Sequence, residues 1–180
     1  MEKIIINDNI IYKEGEKMFI KKNLDENKEN FYEDILLQLE VLLDDAQTLT
    51  GQLANTSALL NAYMENINWV GFYLYWQKAL HLGPFQGLPA CTYIKIGQGV
   101  CGTAAQKKET IVVQDVHQFP GHIACDGASE SEIVLPIFID DKLFGVLDID
   151  APIKCRFDDK DRQGLEKIIN ILSKKLKTNT

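Results

Sequence analysis

The residues best suited to chemistry crowd into one stretch, Gly121-His122-Ile123-Ala124-Cys125-Asp126-Gly127-Ala128-Ser129-Glu130-Ser131-Glu132. Here a cysteine lies between two glycines, with acids close behind it and an apolar run following. Glycines supply positive φ at little steric cost and let backbone approach a small ligand. A thiol reacts according to its thiolate character and its access, so Cys125, at an edge between apolar and polar surroundings, is a candidate reactive thiol. A free cysteine resting in a loop is the plain alternative.

A second set of candidates is acidic. Asp148 and Asp150 stand two apart at the end of an apolar run and so share one face of a strand. With Asp140-Asp141-Lys142 as a hairpin turn, Ile139 pairs with Leu143, which puts Glu132 opposite Asp150 with Asp148 one diagonal step away. Three carboxylates brought together need a cation, or one of them must keep its proton; solvated strand ends pointing to water are the other outcome. A thiol beside a proton-donating acid and an ammonium-binding patch suits a redox reaction on a small amino acid. His117, His122, Cys125 and the acids could in principle assemble a metal site. No Cys-x-x-Cys or His-Glu-x-x-His spacing occurs, so no metal is expected.

These groups must be positioned by a scaffold whose periods are visible. Residues 1–22 carry an Ile-rich patch that reads as a small hairpin or strand, an N-terminal extension ahead of a single domain over 23–180. Asn30 with Glu33 resembles a capping box, and Ile35, Leu39, Leu42, Ala46 and Leu49 form one helical stripe ended by Thr50-Gly51. A second helix carries Leu53, Leu60, Tyr63, Met64 and Ile67. From Asn68 the period changes to two, with Val70, Phe72 and Leu74 on one face and Trp69, Gly71 and Tyr73 on the other. Gly71 between two large rings is expected to leave a notch for a small guest; packing of Trp69 and Tyr73 under a loop is the alternative. Ala79–Leu82 and Cys91–Ile96 read as strands, Gly97 to Ala105 as a glycine loop opening a short helix, and Ile111–Val113 as a short strand. The loop 114–130 precedes two strands, Ile133–Ile139 and Leu143–Ile149, and a last helix starts near Asp158 with Leu165, Ile168, Ile169, Leu172 and Leu176 on one stripe. Terminal helices on one face of a mostly antiparallel sheet make an α+β domain, with the other face left for loops and a pocket.

Composition sets the outer bounds. With 180 residues, 46% hydrophobic and 25% charged, the chain fits one soluble domain. A net charge of −7 argues against nucleic acid or an anionic membrane as partner. No apolar run approaches the roughly 20 residues of a membrane span, and the N-terminus lacks the features of a signal peptide. A cytoplasmic location is expected, with Cys91, Cys101, Cys125 and Cys155 starting reduced.

Together these stretches resemble the free methionine-(R)-sulfoxide reductases, a catalytic branch of the GAF-domain fold. The resemblance spans roughly residues 30–175. It rests on Asn68-Trp69-Val70-Gly71-Phe72-Tyr73, Leu82-Gly83-Pro84-Phe85-Gln86-Gly87, Gly97-Gln98-Gly99-Val100-Cys101-Gly102-Thr103-Ala104, Pro120-Gly121-His122-Ile123-Ala124-Cys125-Asp126, Ser131-Glu132-Ile133 and Leu147-Asp148-Ile149-Asp150. It implies a six-stranded antiparallel sheet and thiol-dependent reduction of free L-methionine-(R)-sulfoxide. Cys125 would be the nucleophile, left as a sulfenic acid. Cys91 would resolve it to a disulfide that thioredoxin reduces, supplied by thioredoxin reductase and NADPH. Cys101 would be an alternative resolver or relay, and which of Cys101 and Cys125 attacks first stays open. One of Glu132, Asp148 and Asp150 would protonate the departing oxygen while the others hold the substrate ammonium, with Trp69 and Tyr73 as an apolar wall. The resemblance also suggests a homodimer and no bound cofactor. A non-catalytic GAF module that senses a small ligand or an oxidant is the rival reading.

Overall fold

The computed structural model describes residues 4–7, 10–13, 16–19, 24, 27–43, 48–121 and 127–177, the first three segments as backbone only. Those segments are strands β1 (Ile4–Asn7), β2 (Ile10–Lys13) and β3 (Glu16–Phe19), paired antiparallel in that order as a separate three-stranded sheet.

Helix α1 spans Lys28–Leu42, and its N-cap is Asn27, whose side chain accepts from Glu29 N at 2.9 Å. The expected start at Asn30 therefore falls inside the helix. The stripe expected to run on to Leu49 is also broken: Ile35 and Leu39 are buried in α1, Ala46 lies outside the described residues, and Leu49 opens a new helix. That helix, α2 (Leu49–Tyr63), is capped by Thr48, which accepts from Gly51 N at 3.2 Å; Thr50-Gly51 begins a helix rather than ending one. A side-chain oxygen meeting an orphan amide is what fixes each start.

The main sheet holds β4 (Trp69–Trp76), β5 (Ala79–Gln86), β6 (Tyr93–Lys95), β7 (Ile111–Val113), β8 (Ser131–Ile139) and β9 (Lys142–Ala151). Its spatial order is β6-β5-β4-β9-β8-β7, with antiparallel pairing throughout. β5 runs four residues beyond the expected Leu82, through Gly83-Pro84-Phe85-Gln86, and β6 is shorter than the expected Cys91–Ile96. Helix α3 (Gly99–Lys107) lies between β6 and β7, and α4 (Asp159–Lys177) closes the described chain.

Period-two alternation divides the sheet into two cores. Val70 and Phe72 of β4, Ile133, Leu135 and Ile137 of β8, and Leu147 and Ile149 of β9 pack against α1, α2 and α4, which contribute Ile35, Leu39, Leu53, Leu60, Leu165, Ile168 and Leu172. Trp69, Tyr73, Leu80, Val134 and Val146 point the other way and pack with Val100, Cys101, Ala104 and Ala105 of α3. The domain is thus α+β, with the terminal helices on one face and α3 with its neighbouring loops on the other.

A buried carboxylate ties the helical layer together. Asp161 is almost wholly buried and accepts from Tyr32 Oη at 2.9 Å, Lys28 Nζ at 2.6 Å and the Asp158 amide at 3.0 Å, with Arg156 at 3.3 Å. It joins α1, α4 and the segment after β9.

Candidate active site

The chemistry-bearing residues meet on the sheet face that carries α3. Cross-strand register pairs Trp69 with Asp150, Gly71 with Asp148 and Glu132 with Asp150. The expected opposition of Glu132 and Asp150 holds, although the turn differs. Ile139 pairs with Lys142, and the two-residue turn is Asp140-Asp141, with φ of 46° and 60°. Both central residues in the left-handed region make the tight hairpin turn that matches strand twist. A register shift between Ile137 and Phe138 then restores the alignment farther down the hairpin.

Trp69 and Tyr73 are buried and stack at 5.8 Å between ring centroids. Trp69 also stacks on Phe85 at 5.3 Å, and its Nε1–H donates to Leu88 O at 3.1 Å. The notch expected at Gly71 is filled by the protein itself: a Cβ there would overlap Phe85 Cβ and meet Trp69 Cη2 at 2.7 Å. The missing side chain therefore lets Phe85 and Trp69 close up rather than admitting a guest. Phe85 is a wall residue that the pattern alone did not single out, since its strand had to be extended past Pro84 to reach this face. Asn68 Nδ2 donates to Ser129 Oγ at 3.1 Å, fastening β4 to the segment before β8.

Beside this wall lies a buried polar cluster. One ligand atom each from Cys101, Glu132 and Asp148 all fall within 4.8 Å of one another. Cys101 is brought there by α3, which sits close because Gly102 leaves no side chain to overlap Lys95 O. Asp148 is the acceptor at the centre, receiving hydrogen bonds from the Cys101 thiol, Glu132 and the Ile149 amide. Burial raises the Asp148 carboxyl to about 6 despite those bonds. Glu132 is raised well above the carboxylate range, by burial first and then by the negative charges of Asp148 and Asp150. Glu132 is thus the carboxyl that holds its proton and donates it to Asp148, which resolves the crowding of like charges. Burial pushes the Cys101 thiol up as well, with the charge of Asp148 adding to it. Cys101 is accordingly a protonated donor rather than a thiolate. Tyr73 is held as the neutral phenol, by burial and then by Asp148. One atom of the cluster is left over: Asp148 Oδ1 is buried without a hydrogen-bond partner.

The remaining thiols separate. Cys91 packs partly buried against the same apolar cluster and is disulfide-bonded, whereas Cys101 and Cys155 are free. Cys155 is exposed on a surface cavity of about 610 Å³ with Asp115, Phe119 and Lys154. Cys125 and His122 lie outside the described residues. His117 is exposed, 3.4 Å from Glu130, and with Asp115 makes a second group of metal-capable side chains. There Lys154 already lies 2.8 Å from Asp115, supplying the positive charge an ion would bring.

A family model described as the GAF domain matches residues 38–176. The free methionine-R-sulfoxide reductase of Escherichia coli (strain K12) is 48% identical over 152 residues, covering 84% of this chain and 92% of its own. Among solved structures, the free methionine-R-sulfoxide reductase from Neisseria meningitidis in complex with its substrate superposes with a TM-score of 0.85 at 41% identity, covering 90% of this chain and 98% of that one. The fRMsr of Staphylococcus aureus in complex with substrate gives a TM-score of 0.78 at 54% identity, covering 86% and 99%.

Proposed function

The chain belongs to the GAF-domain family, and within it to the free methionine-R-sulfoxide reductases; on that premise we propose how its own residues reduce free methionine-(R)-sulfoxide to methionine. A thiolate at Cys125 attacks the sulfoxide sulfur. The oxygen is protonated by Glu132 as its bond to that sulfur weakens, and it ends on Cys125 as a sulfenic acid while methionine departs. The Cys91 thiol then attacks the sulfenic sulfur, water leaves, and a disulfide forms.

The observation that carries this reading is the buried, unpartnered Asp148 Oδ1 beside the stacked Trp69 and Tyr73. An unsatisfied buried acceptor on a carboxylate suits an ammonium group, and the aromatic wall suits the methyl on sulfur. Asp150, at the strand end, is a second acceptor for the same ammonium. The protonated state of Glu132 suits the acid that a departing oxygen needs. Support for Cys91 as resolver is its disulfide-bonded state while Cys101 and Cys155 are free. Cys101, protonated and bonded to Asp148, is assigned to keeping that acceptor oriented rather than to the first attack.

The reductant we assign is thioredoxin, maintained by thioredoxin reductase and NADPH, and the location a cytoplasm; the functional unit we take to be a homodimer. Among the described residues no helix is long and apolar enough to cross a membrane. Purified protein with the thioredoxin system and free methionine-(R)-sulfoxide, its S epimer or a sulfoxide-containing peptide tests the reading through NADPH oxidation. Turnover of the free R epimer alone is expected; equal turnover of the peptide would remove the ammonium-binding role from the acidic cluster.

A further inference from the structure

All 26 acidic residues of this chain lie outside one long stretch: between Glu65 and Glu109 there is no Asp or Glu. In a protein of net charge −7 that gap leaves β4, β5, β6 and the turn between β4 and β5 without an acidic side chain of their own, and Lys78 and Lys95 there are both exposed. The two lysines are neighbours, because Lys95 pairs with Ala79 across β5 and β6. Among the described residues neither is ion-paired.

The same surface is apolar. Trp76 is 60% exposed and Tyr93 51%. Trp76 packs edge-on against His81 at 5.2 Å, and His81 against Tyr93 at 5.4 Å, a ladder crossing three strands to the edge of the sheet. Large exposed aromatics fixed in one row and rimmed by like charges are a feature of interaction surfaces rather than of plain solvated sheet. Tyr93, at the edge-strand end of that ladder, stands two residues after the disulfide-bonded Cys91.

We propose that the Trp76–His81–Tyr93 ladder, with Lys78 and Lys95, is the docking surface for the protein dithiol that reopens the Cys91 disulfide, and that this partner presents an apolar patch rimmed by carboxylates. The proposal rests on the reductase reading given above. A thiolate of the reductant attacks Cys91 Sγ, forming a mixed disulfide and releasing the other enzyme sulfur as a thiolate that takes up a proton. The reductant's second thiol then attacks its own sulfur in that mixed disulfide, leaving Cys91 as a thiol and the reductant as a disulfide. Two electrons and two protons pass to the enzyme. Opposite charge on the two rims speeds encounter and falls off with salt, whereas a small uncharged dithiol needs no such surface.

The test is turnover of free methionine-(R)-sulfoxide driven either by thioredoxin at varied concentration or by dithiothreitol. For the Lys78→Glu/Lys95→Glu double variant the KM for thioredoxin should rise at least tenfold at low salt, and the wild-type rise in that KM with added salt should disappear. Trp76→Ser/Tyr93→Ser should raise the same KM at all salt concentrations. Both variants should keep dithiothreitol-driven turnover within twofold of wild type. A thioredoxin lacking its second cysteine should be trapped on Cys91, as read by peptide mass spectrometry. Unchanged thioredoxin KM in both variants, or trapping on a different cysteine, would overturn the proposal. So would dissociation of a dimer by the aromatic variant with thioredoxin KM unaltered, which would give the surface to a second copy of the chain. Absence of dithiothreitol-driven turnover in the wild type would instead defeat the reductase reading itself.

Discussion

Replacing Glu132 by Gln separates the proton at this position from its shape. Glu132 is 5% exposed and its neutral carboxyl donates to Asp148. Glutamine has nearly the same volume, and its amide can donate the same hydrogen bond, so the aromatic wall and the register of Glu132 against Asp150 should stay as they are. What disappears is a proton that can be transferred. Loss of a positioned general acid costs typically 10²–10⁴ in rate, so kcat should fall about a hundredfold or more, equivalent to at least roughly 2.7 kcal/mol of transition-state stabilisation. KM for the sulfoxide should change by less than about threefold, because Asp148 keeps the charge that meets the ammonium. The assay is NADPH oxidation through thioredoxin, with a thermal melt to confirm the fold. A kcat within threefold of wild type would refute Glu132 as the donor, and a KM rise with kcat intact would move it into the ammonium site.

Two further outcomes follow from the same structure. Burial raises both Glu132 and Asp148, so the folded chain keeps protons that the unfolded chain gives up as pH climbs from the ordinary carboxylate value to about 6 at Asp148. Their contribution to stability is therefore intact at low pH and is lost as pH rises through that window; Asp148→Asn should gain in Tm relative to wild type between about pH 4 and pH 7 by differential scanning fluorimetry, and a constant difference would contradict it. Asp161→Ala strands the buried Tyr32 hydroxyl and the Asp158 amide and takes one carboxylate partner from Lys28, which keeps Asp158, and from Arg156, which keeps the Glu65 carbonyl. A loss of roughly 3 kcal/mol in urea unfolding is expected, and a loss below about 1 kcal/mol would show the network to be dispensable.

How much of this was legible in the sequence depended on whether the controlling contact was local. The alternation of Trp69 to Tyr73 sorted that strand's faces correctly, because period two is imposed by the backbone of one strand. Glu132 was placed opposite Asp150 even though the turn was read one residue too long, since the register shift at Ile137 and Phe138 cancels the shorter turn. By contrast the notch at Gly71 was filled by Phe85, a residue of the neighbouring strand, where the pairing shifts register between Gly71 and Tyr73. The start of α1 lies at Asn27 rather than Asn30: both are capping types, and the earlier start brings into the helix Lys28, whose ammonium reaches Asp161 across 133 positions of chain. The break between α1 and α2 was hidden because Ala46 and Leu49 continue the helical spacing by coincidence, while Thr48 supplied the cap. Which carboxyl keeps its proton depends on burial and on hydrogen bonds from α3, so no spacing could reveal it.

The central claim is that sulfur chemistry begins at Cys125 and is resolved by Cys91. Reduced Cys91→Ser protein, given one equivalent of free methionine-(R)-sulfoxide and then dimedone, should release one methionine per chain and carry the dimedone adduct on Cys125 by peptide mass spectrometry. An adduct on Cys101 with Cys125 unlabelled would contradict the account.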